Sequence, residues 1–525
     1  MKKISFKAII ALLGTSFLLT ACLKDLDRSP KYGLNAATVY SDPNNYINVL
    51  AKLYAGYSIT GNQGPAGDPD ISGIDEGFSA YVRVLWNLQE LPTDEAVCGW
   101  DDPGIPELNF MTWNSVSPFV VAMYNRIFYQ IPLCNEFLRY STDEWMNSKG
   151  FSEADKARIR GYANEARFIR ALSYYHAMDL FGNVPFVTEE NKPGAALPQQ
   201  ISRLELFNFI EAELKAIEGN MQAPRFEYGR ADKAAVQALL AKLYLNAEVY
   251  TGTPRYSDCI TYSNLVIASG YSLEPDYKHL FLADNHTSPE IIFPITYDGM
   301  NTRTYGGTTF LVHAAISDSM RPYSQFGTNG GWNGLRTTRA LYDKFAADTS
   351  DERNTFWTRG HTLDISRVAG RPFEGYGITK WRNVRRDGGP GNDPTRNFVD
   401  TDFPMFRLAD IYLTYAEATV RGGAGGDAAQ ALNYVNQLRN RADIAPEAGP
   451  LTLDKILDER ARELYWEGHR RTDLIRHGKF TGGSYVWPWK GGDSSGVSVP
   501  DYLKIYPLPA ADLVANPNLR QNTGY

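Results

Sequence analysis

The chain has 525 residues, of which 43% are hydrophobic and 13% aromatic, and it carries a formal net charge of −7 at pH 7. This apolar content is typical of a globular protein, and the length would allow two to four domains. The negative charge argues against a nucleic acid or an anionic lipid surface as the partner.

The first 22 residues indicate an export signal rather than part of the fold. Three lysines precede an apolar run that is too short to span a bilayer as a mature helix. The run ends at Leu19-Thr20-Ala21-Cys22, which matches a bacterial lipoprotein signal. We therefore predict a signal peptide over 1–21 and lipidation of Cys22, the first mature residue. An ordinary secretory signal with an incidental cysteine is the alternative.

The mature chain, 22–525, shows no second apolar run of membrane-spanning length, so the lipid is expected to be its only anchor. A chain of this size does not need a disulfide, and we expect its remaining cysteines to be small buried residues, with one disulfide and one free thiol as the alternative. They are Cys98, Cys134 and Cys259. Zinc-type histidine spacing, a Walker motif and a G-x-S-x-G motif are all missing from the sequence.

Segments with helical periodicity cluster towards the two ends of the chain. The longest covers 154–181, with Gly182 placed to end the helix and Pro185 to block its continuation. Ser202 and Glu205 have the spacing of a capping box that begins another helix. The predicted helices are 42–57, 117–140, 154–181, 202–217, 231–250, 257–268, 404–420, 427–441 and 452–467.

Between these clusters, 59–116 and 271–400 are rich in turn residues and lack helical periodicity, apart from β-like runs at 290–295 and 308–312. Long irregular stretches of this kind are usually functional loops. We predict a mainly α fold of tetratricopeptide-like helical pairs with few short strands, although the strict 34-residue repeat signature is missing. The single domain, 22–525, would have its helical scaffold at about 32–58, 117–270 and 404–470. The two irregular stretches would form a loop-rich face.

The segment 91–106 is the most unusual part of that face. It contains three prolines and two glycines, and it displays a large indole, Trp100, among four carboxylates. Such a loop exposes apolar surface to water, which usually has a functional reason. Trp100 either folds back onto the core or offers a stacking surface to a flat amphipathic ligand such as a sugar ring.

Three other patterns carry weaker signals. The segment 68–73 has the oxygen spacing of half an EF-hand loop, but the twelfth position is Ser79, so we expect no cofactor and leave a structural calcium ion open. Glu95 with Asp101 or Asp102 could form a glycosidase pair, although carboxylates in surface loops are usually solvated. The charged run 470–476 is expected to be a solvated or salt-bridged helix end.

Several sequence blocks resemble the RagB/SusD family, and they follow one another over essentially the whole mature chain. They are ARFIRALSYY (166–175), DLFGNVP (179–185), GRADK (229–233), FRLAD (406–410) and the segment 459–474. This resemblance implies a non-enzymatic, lipid-anchored glycan-binding protein of the outer membrane with a tetratricopeptide-like scaffold. It also implies that the protein caps a SusC-like TonB-dependent transporter. The acidic segment 24–27 is similar to the surface-export signals of such lipoproteins, so the protein would face the exterior.

A narrower likeness, to the starch-binding members of the family, is carried by SGIDEG (72–77), ELPTDE (90–95), TRTYGG (302–307), TNGGW (328–332) and WKGG (489–492). It implies that starch or malto-oligosaccharides are the ligand and that an aromatic arc with polar partners binds them. The arc would be Trp100, Tyr305 and Trp332, and the polar partners Asp75 and Arg83. Pro103 departs from the pattern, since those members have an asparagine there. One sugar hydrogen bond is then lost or is made by Asp101 or Asp102.

The chemistry of these residue types agrees with the resemblance. Trp and Tyr cover the apolar C–H face of a sugar ring, while Asp and Arg bind its hydroxyl edge. A curved arc of rings would select a curved chain such as an α-1,4-glucan. The same lid binding another polysaccharide, a glycoside hydrolase and a protein-interaction scaffold remain alternatives. The same residues also allow a purely structural role, in which Asp75 and Arg83 only pair with each other.

Overall fold

The computed structural model describes residues 35–61, 63–65, 69–192, 194, 196–346 and 348–525. The predicted signal peptide, the lipidated Cys22, the acidic segment 24–27 and Asp68 of the calcium-like loop lie outside the described residues. No helix in the described ranges is both long enough and apolar enough to cross a membrane.

Helices dominate the fold, as predicted. In chain order the α-helices are α1 (Ala36–Val39), α2 (Tyr46–Ser58), α3 (Tyr81–Glu90), α4 (Ile105–Asn109), α5 (Pro118–Arg139), α6 (Asp143–Ser148), α7 (Glu153–Phe181), α8 (Arg203–Glu218), α9 (Lys233–Leu245), α10 (Ala247–Thr251), α11 (Tyr256–Ile267), α12 (Gly307–Ala315), α13 (Arg339–Tyr342), α14 (Leu408–Val420), α15 (Ala428–Arg441), α16 (Leu453–Leu464), α17 (Arg470–Arg476) and α18 (Ala510–Ala515). Short 3₁₀ helices cover Pro43–Asn45, Tyr277–Phe281, Asn285–Thr287, Tyr323–Phe326, Lys490–Gly492 and Asp501–Lys504.

The strands are short and pair two by two in antiparallel fashion. They are β1 (Ala96–Cys98) with β5 (Leu335–Thr337), β2 (Val184–Phe186) with β3 (Gln199–Ile201), β4 (Ile291–Ile295) with β8 (Phe403–Arg407), and β6 (Phe356–Trp357) with β7 (Gly377–Ile378). The pairing of β1 with β5 matters most for the site, because it joins two segments that are more than 200 residues apart in sequence.

The helical scaffold is built from neighbouring helices that pack face to face. Helix α7 packs against α5 and α8, and α11 packs between α9 and α14. The Ser202 side chain accepts a hydrogen bond from the Glu205 amide while the Glu205 carboxylate accepts one from the Ser202 amide, so the predicted capping box is confirmed. Each of the predicted helices has a counterpart within a few residues of the expected bounds.

The two longest α-helices within the predicted loop-rich face, α3 and α12, were not predicted as helices. The run 308–312, predicted as a strand, lies inside α12, and α3 was not predicted at all. Every residue of both helices is buried. Helix α12 is largely apolar, so it lacks the alternation by which amphipathic helices are recognised. Helix α3 does carry polar residues at helical spacing, such as Arg83, Asn87 and Glu90, but all three are buried and the helix has only 10 residues.

The prediction that 91–106 is a long polar loop is wrong for most of the segment. Strand β1 lies at its centre and α4 begins at its end. Asp94 and Glu95 are buried, and Asp94 forms a bidentate ion pair with Arg470 (Oδ1–Nε 2.6 Å, Oδ2–Nη2 2.7 Å). Only 100–103 of this segment is largely open to solvent, which leaves Trp100 at the point where the chain emerges.

Buried ion pairs tie the C-terminal helices to the rest of the core. The guanidinium of Arg407 contacts the carboxylates of Glu290, Glu463 and Glu467 at 2.6–2.8 Å. Arg470, at the start of the charged run 470–476, is buried and ion-paired, which confirms the salt-bridged interpretation of that run. The three described cysteines are buried and unbridged, as expected.

Candidate functional site

A cleft of about 830 Å³ opens beside Trp100 on the loop-rich face. Its walls come from the loop before α3, from α3 itself, from the segment after β1, from the first turn of α5 and from the turns that flank α12. The lining residues are Asp75, Gly77, Phe78, Arg83, Trp100, Asp102, Pro103, Ile105, Pro118, Phe119, Tyr305 and Trp332. All five residues that the sequence analysis assigned to a sugar site line this one cleft.

Trp100 is positioned by the strand pair β1–β5. Trp100 follows β1 and Trp332 precedes β5, so antiparallel pairing brings them together, and the Gly99 amide donates to the Gly334 carbonyl at 2.8 Å. The indole Nε1 of Trp100 donates to the Trp332 carbonyl at 2.9 Å. A Cβ on Gly334 would lie 2.5 Å from the Trp100 ring, so only a glycine at this position leaves room for the indole. With its N–H already bonded, Trp100 can offer a ligand only its ring face.

Trp332 lies on a rigid base formed by α12. Its amide donates to the His313 carbonyl at 2.8 Å, and its ring stacks on the His313 imidazole with centroids 4.9 Å apart and an interplanar angle of 20°. Burial lowers the pKa of His313 to about 4, so the imidazole is neutral at physiological pH. The half-buried indole therefore has one face packed on the protein.

Tyr305 completes the row of aromatic rings from the turn before α12. Its ring centroid lies 6.5 Å from that of Trp332 and 5.2 Å from that of Phe398, which supports it from behind. A Cβ on the following Gly306 would lie 2.2 Å from the Cβ of Ala80. Close packing on the start of α3 therefore requires a glycine at this position.

The three rings form a surface that is not flat. Trp100 and Trp332 are inclined by 42° at a centroid distance of 6.5 Å, and Trp332 and Tyr305 are inclined by 57° at the same spacing. All three side chains are half-buried, so each still exposes ring area. A row of tilted rings at regular spacing can contact successive sugar units whose planes rotate along the chain.

Arg83 and Asp75 lie at the edge of this row without pairing with each other. The Arg83 guanidinium lies over the Phe310 ring at 4.3 Å and over the Trp100 ring at 5.7 Å, and its Nη1 donates to the Gly77 carbonyl at 2.8 Å. The Asp75 carboxylate accepts from the Gly77 amide at 2.7 Å. Among the described side chains none forms an ion pair with Arg83. The alternative in which Asp75 and Arg83 only pair with each other therefore does not describe this structure.

Arg83 retains unused hydrogen-bonding capacity. The residue is 9% exposed and its Nε has no partner within the described part of the chain. Burial lowers its pKa to about 10, an effect that Asp102 and Asp75 partly oppose, so the group stays charged at neutral pH. A buried cation with few partners at the wall of an open cleft is suited to binding a polar ligand.

The proposed glycosidase pair is not assembled in this cleft. Glu95 lies in the interior, where its carboxylate accepts from the Trp466 amide at 3.2 Å and approaches Arg470. Burial raises the pKa of Glu95 to about 7, with the neighbouring Arg470 opposing the shift. Asp101 and Asp102 are exposed at the surface. The perturbed carboxyl group therefore belongs to the core rather than to the cleft wall.

Sequence reasoning missed Phe78 and Phe119, which also line the cleft. Neither lies in a pattern that distinguishes a ligand contact from core packing. The only available signal was the position of Phe78 directly after the SGIDEG block that carries Asp75.

Comparisons with known proteins agree with this architecture. A family model described as the SusD family matches residues 348–525. The "Starch-binding protein SusD" of Bacteroides thetaiotaomicron is 37% identical over 100% of this chain and 99% of that protein. The chain belongs to the SusD family.

Solved structures of this family share the fold. A SusD superfamily protein from Bacteroides vulgatus superimposes with a TM-score of 0.70 at 20% identity, covering 92% of this chain and 99% of that one. Surface glycan-binding protein A from Bacteroides thetaiotaomicron, solved in complex with laminarihexaose, gives a TM-score of 0.69 at 21% identity, with coverage of 91% and 99%. The predicted SusD-like, mainly α fold is thus confirmed.

Proposed function

We propose that this SusD-family protein binds starch-like α-1,4-glucans in the cleft of Trp100, Trp332 and Tyr305. The observation that carries the proposal is the row of three tilted rings, 6.5 Å apart, with Arg83 and Asp75 at its edge. Aromatic faces cover the C–H surfaces of sugar rings, and charged edge groups bind hydroxyls. The tilt of the rings favours a sugar chain that coils rather than one that extends as a flat ribbon.

The 37% identity to a starch-binding protein over the whole chain supports this choice of sugar. Burying each ring against a sugar contributes about 1–2 kcal/mol, part of which is offset by the cost of ordering the ligand. Three such contacts correspond to binding in roughly the tens-of-micromolar to millimolar range. This weak affinity suits a protein that has to release its ligand again.

Titration calorimetry with soluble oligosaccharides tests the proposal. Maltoheptaose and α-cyclodextrin should bind, whereas laminarihexaose and cellohexaose, with other linkages, should bind much more weakly. Binding of laminarihexaose with no response to maltoheptaose would contradict the α-1,4 assignment and indicate another polysaccharide at the same site. The absence of binding to any glycan would favour a protein-interaction scaffold.

The proposal includes delivery of the bound glucan to a SusC-like TonB-dependent transporter, which the protein would cap at the outer membrane. It rests on family membership. Gentle detergent extraction of cells grown on starch should recover the protein with a transporter in near-equal amount. Recovery of the protein alone would argue against this assembly.

We further propose that Cys22 carries a lipid that anchors the protein on the outer face of the outer membrane. The lipobox Leu19-Thr20-Ala21-Cys22 is the supporting observation. Cys22→Ala should release the protein from the membrane fraction. A membrane-bound Cys22→Ala protein, or processing that is insensitive to globomycin, would contradict the anchor.

The protein is proposed to bind glucan without cleaving it. The cleft carboxylates Asp75 and Asp102 are exposed, whereas a glycosidase needs one carboxyl group held protonated at the bond that breaks. A reducing-sugar assay on starch should show no product above the background without protein. Steady release of reducing ends, abolished by Asp102→Asn, would establish an enzyme instead.

A further inference from the structure

We propose that Phe78 is a fourth stacking position, which extends the glucan site beyond the ring row of Trp100, Trp332 and Tyr305 and makes the protein select longer chains. The inference rests on the proposed function and refines its substrate class. The starting observation is that Phe78 lines the same cleft but lies outside that row.

Phe78 is held in place before any ligand arrives. Its ring lies 4.9 Å from that of Phe119 at an interplanar angle of 49°, and Phe119 is buried in the first turn of α5. The position of Phe119 is fixed in turn by Gly104, where a Cβ would lie 2.8 Å from the ring. Gly77, next to Phe78, donates to Asp75 and accepts from Arg83.

The backbone beside Phe78 is therefore tied to both polar residues of the site. A side chain whose backbone and packing partner are both fixed loses little freedom on binding, which favours its use as a contact surface. The half-buried Phe78 still exposes apolar area to the cleft. If Phe78 served only to pack against Phe119, its side chain would not need to be exposed to the cleft.

The cleft combines apolar and polar side chains in a way that suits a chain of sugars. Phe78 shares the cleft with Pro103 and Pro118, and none of these three side chains can form a hydrogen bond. These side chains can contact only the C–H face of a sugar. The polar residues Arg83, Asp75 and Asp102 lie on the same cleft wall, where they can bind hydroxyl groups.

Among the described residues, the Phe78 ring contacts that of Phe119 and none of the three rings of the row, so a short oligosaccharide on the row need not reach it. A longer linear chain can extend beyond the row and place one further sugar on the Phe78 ring. The rate at which affinity grows with chain length then depends on Phe78. This separates its role from that of the three rings, which contact chains of every length.

The test compares maltotriose, maltoheptaose and α-cyclodextrin by titration calorimetry on the full mature protein and on Phe78→Ala. We expect a loss of roughly two- to tenfold in affinity for maltoheptaose, the size of one aromatic contact, and no change for maltotriose. α-Cyclodextrin, a closed ring without free ends, should respond like maltotriose. Phe78→Trp should restore or increase the affinity for maltoheptaose, because it keeps an aromatic face.

Phe226→Ala is the matched control, because Phe226 is a partly exposed phenylalanine (49%) that lines a different cavity. It should leave all three affinities unchanged. Equal losses for all ligands in Phe78→Ala would overturn the inference and show that Phe78 only supports the 75–78 loop. Unchanged affinities would overturn it as well.

The design also separates the two proposals. Should the unmodified protein bind malto-oligosaccharides with an affinity that does not depend on Phe78, only the extension is wrong. Should it bind none of the three ligands, both the glucan assignment and the proposed stacking position at Phe78 are wrong.

Discussion

Truncation of Trp332 tests most directly whether the row of rings is a binding surface or part of the core. Trp332→Ala removes the central ring, which contacts both Trp100 and Tyr305 at centroid distances of 6.5 Å. The backbone groups of residue 332 stay in place, so the amide can still donate to His313 and the carbonyl can still accept from Trp100. The substitution therefore changes the ligand surface more than the framework.

The expected loss in glucan affinity is about 1–3 kcal/mol, a factor of roughly 5 to 150. The loss in stability should be smaller, about 1–2 kcal/mol, since the ring is half-buried and covers His313 on one side. In a chain of this length that corresponds to a fall in melting temperature of roughly 1–2 °C. Trp100→Ala should cost more stability, because it also removes the Nε1 hydrogen bond and the contact with Phe310.

Calorimetric titration with maltoheptaose and a melting curve, measured on the same preparation, separate the two effects. Trp145→Ala is the matched control, since this half-buried indole on α6 donates to the Tyr40 carbonyl at 3.2 Å and does not line the cleft. The control should retain full affinity. Unchanged affinity in Trp332→Ala, together with a large drop in melting temperature, would refute the reasoning and make the ring structural.

Three further predictions address the framework. Gly334→Ala should weaken maltoheptaose binding several-fold, because the new Cβ would lie 2.5 Å from the Trp100 ring. Gly330→Ala should not weaken it, because no heavy atom lies within 4 Å of the Cβ added there. Equal affinities of the two variants would contradict this prediction. Arg407→Met should lower the free energy of unfolding in urea by about 3–5 kcal/mol, because it leaves buried carboxylates unpaired, and Arg385→Met, at an exposed pair, should change it by less than about 1 kcal/mol. A small effect of Arg407→Met would show that neighbouring cations compensate. Burial raises the pKa of Asp402 to about 7, so its protonated form stabilises the fold at low pH and this contribution is lost as the pH rises through 7. Asp402→Asn, which stays uncharged, should therefore gain roughly 2–3 kcal/mol over the unmodified protein between pH 5 and pH 8 in urea unfolding, and parallel pH profiles would contradict the shift.

The sequence revealed the long scaffold helices well because they repeat the helical period several times. Helix α7, for example, was predicted to within one residue, since its 29 residues repeat that period and Gly182 ends it. Helices α3 and α12 were missed because they have only 10 and 9 residues and are buried throughout. The missed pair supports the site, with Arg83 on α3 and His313 on α12.

The candidate site was predictable as a set of residues but not as an arrangement. An indole in a turn-rich segment is conspicuous in sequence, which singled out Trp100. Its distance from Trp332 depends on the register of β1 with β5, and three-residue strands leave too little pattern to predict pairing. Phe78 was missed because a phenylalanine beside a glycine carries no sign of exposure.

The contacts that hold the rings in place indicate what would limit the affinity of this site for a glucan. Trp100 is fixed by a hydrogen bond to the backbone, Trp332 by its amide bond to His313, and Arg83 by stacking on Phe310. A surface that is ordered before binding loses little entropy when the ligand arrives, so further rigidity can add little. The weak binding that we propose would then reflect the small area of ring that each sugar covers. Affinity should therefore grow with added contact area, as a fourth ring at Phe78 provides, rather than with constraint of the three rings already in place.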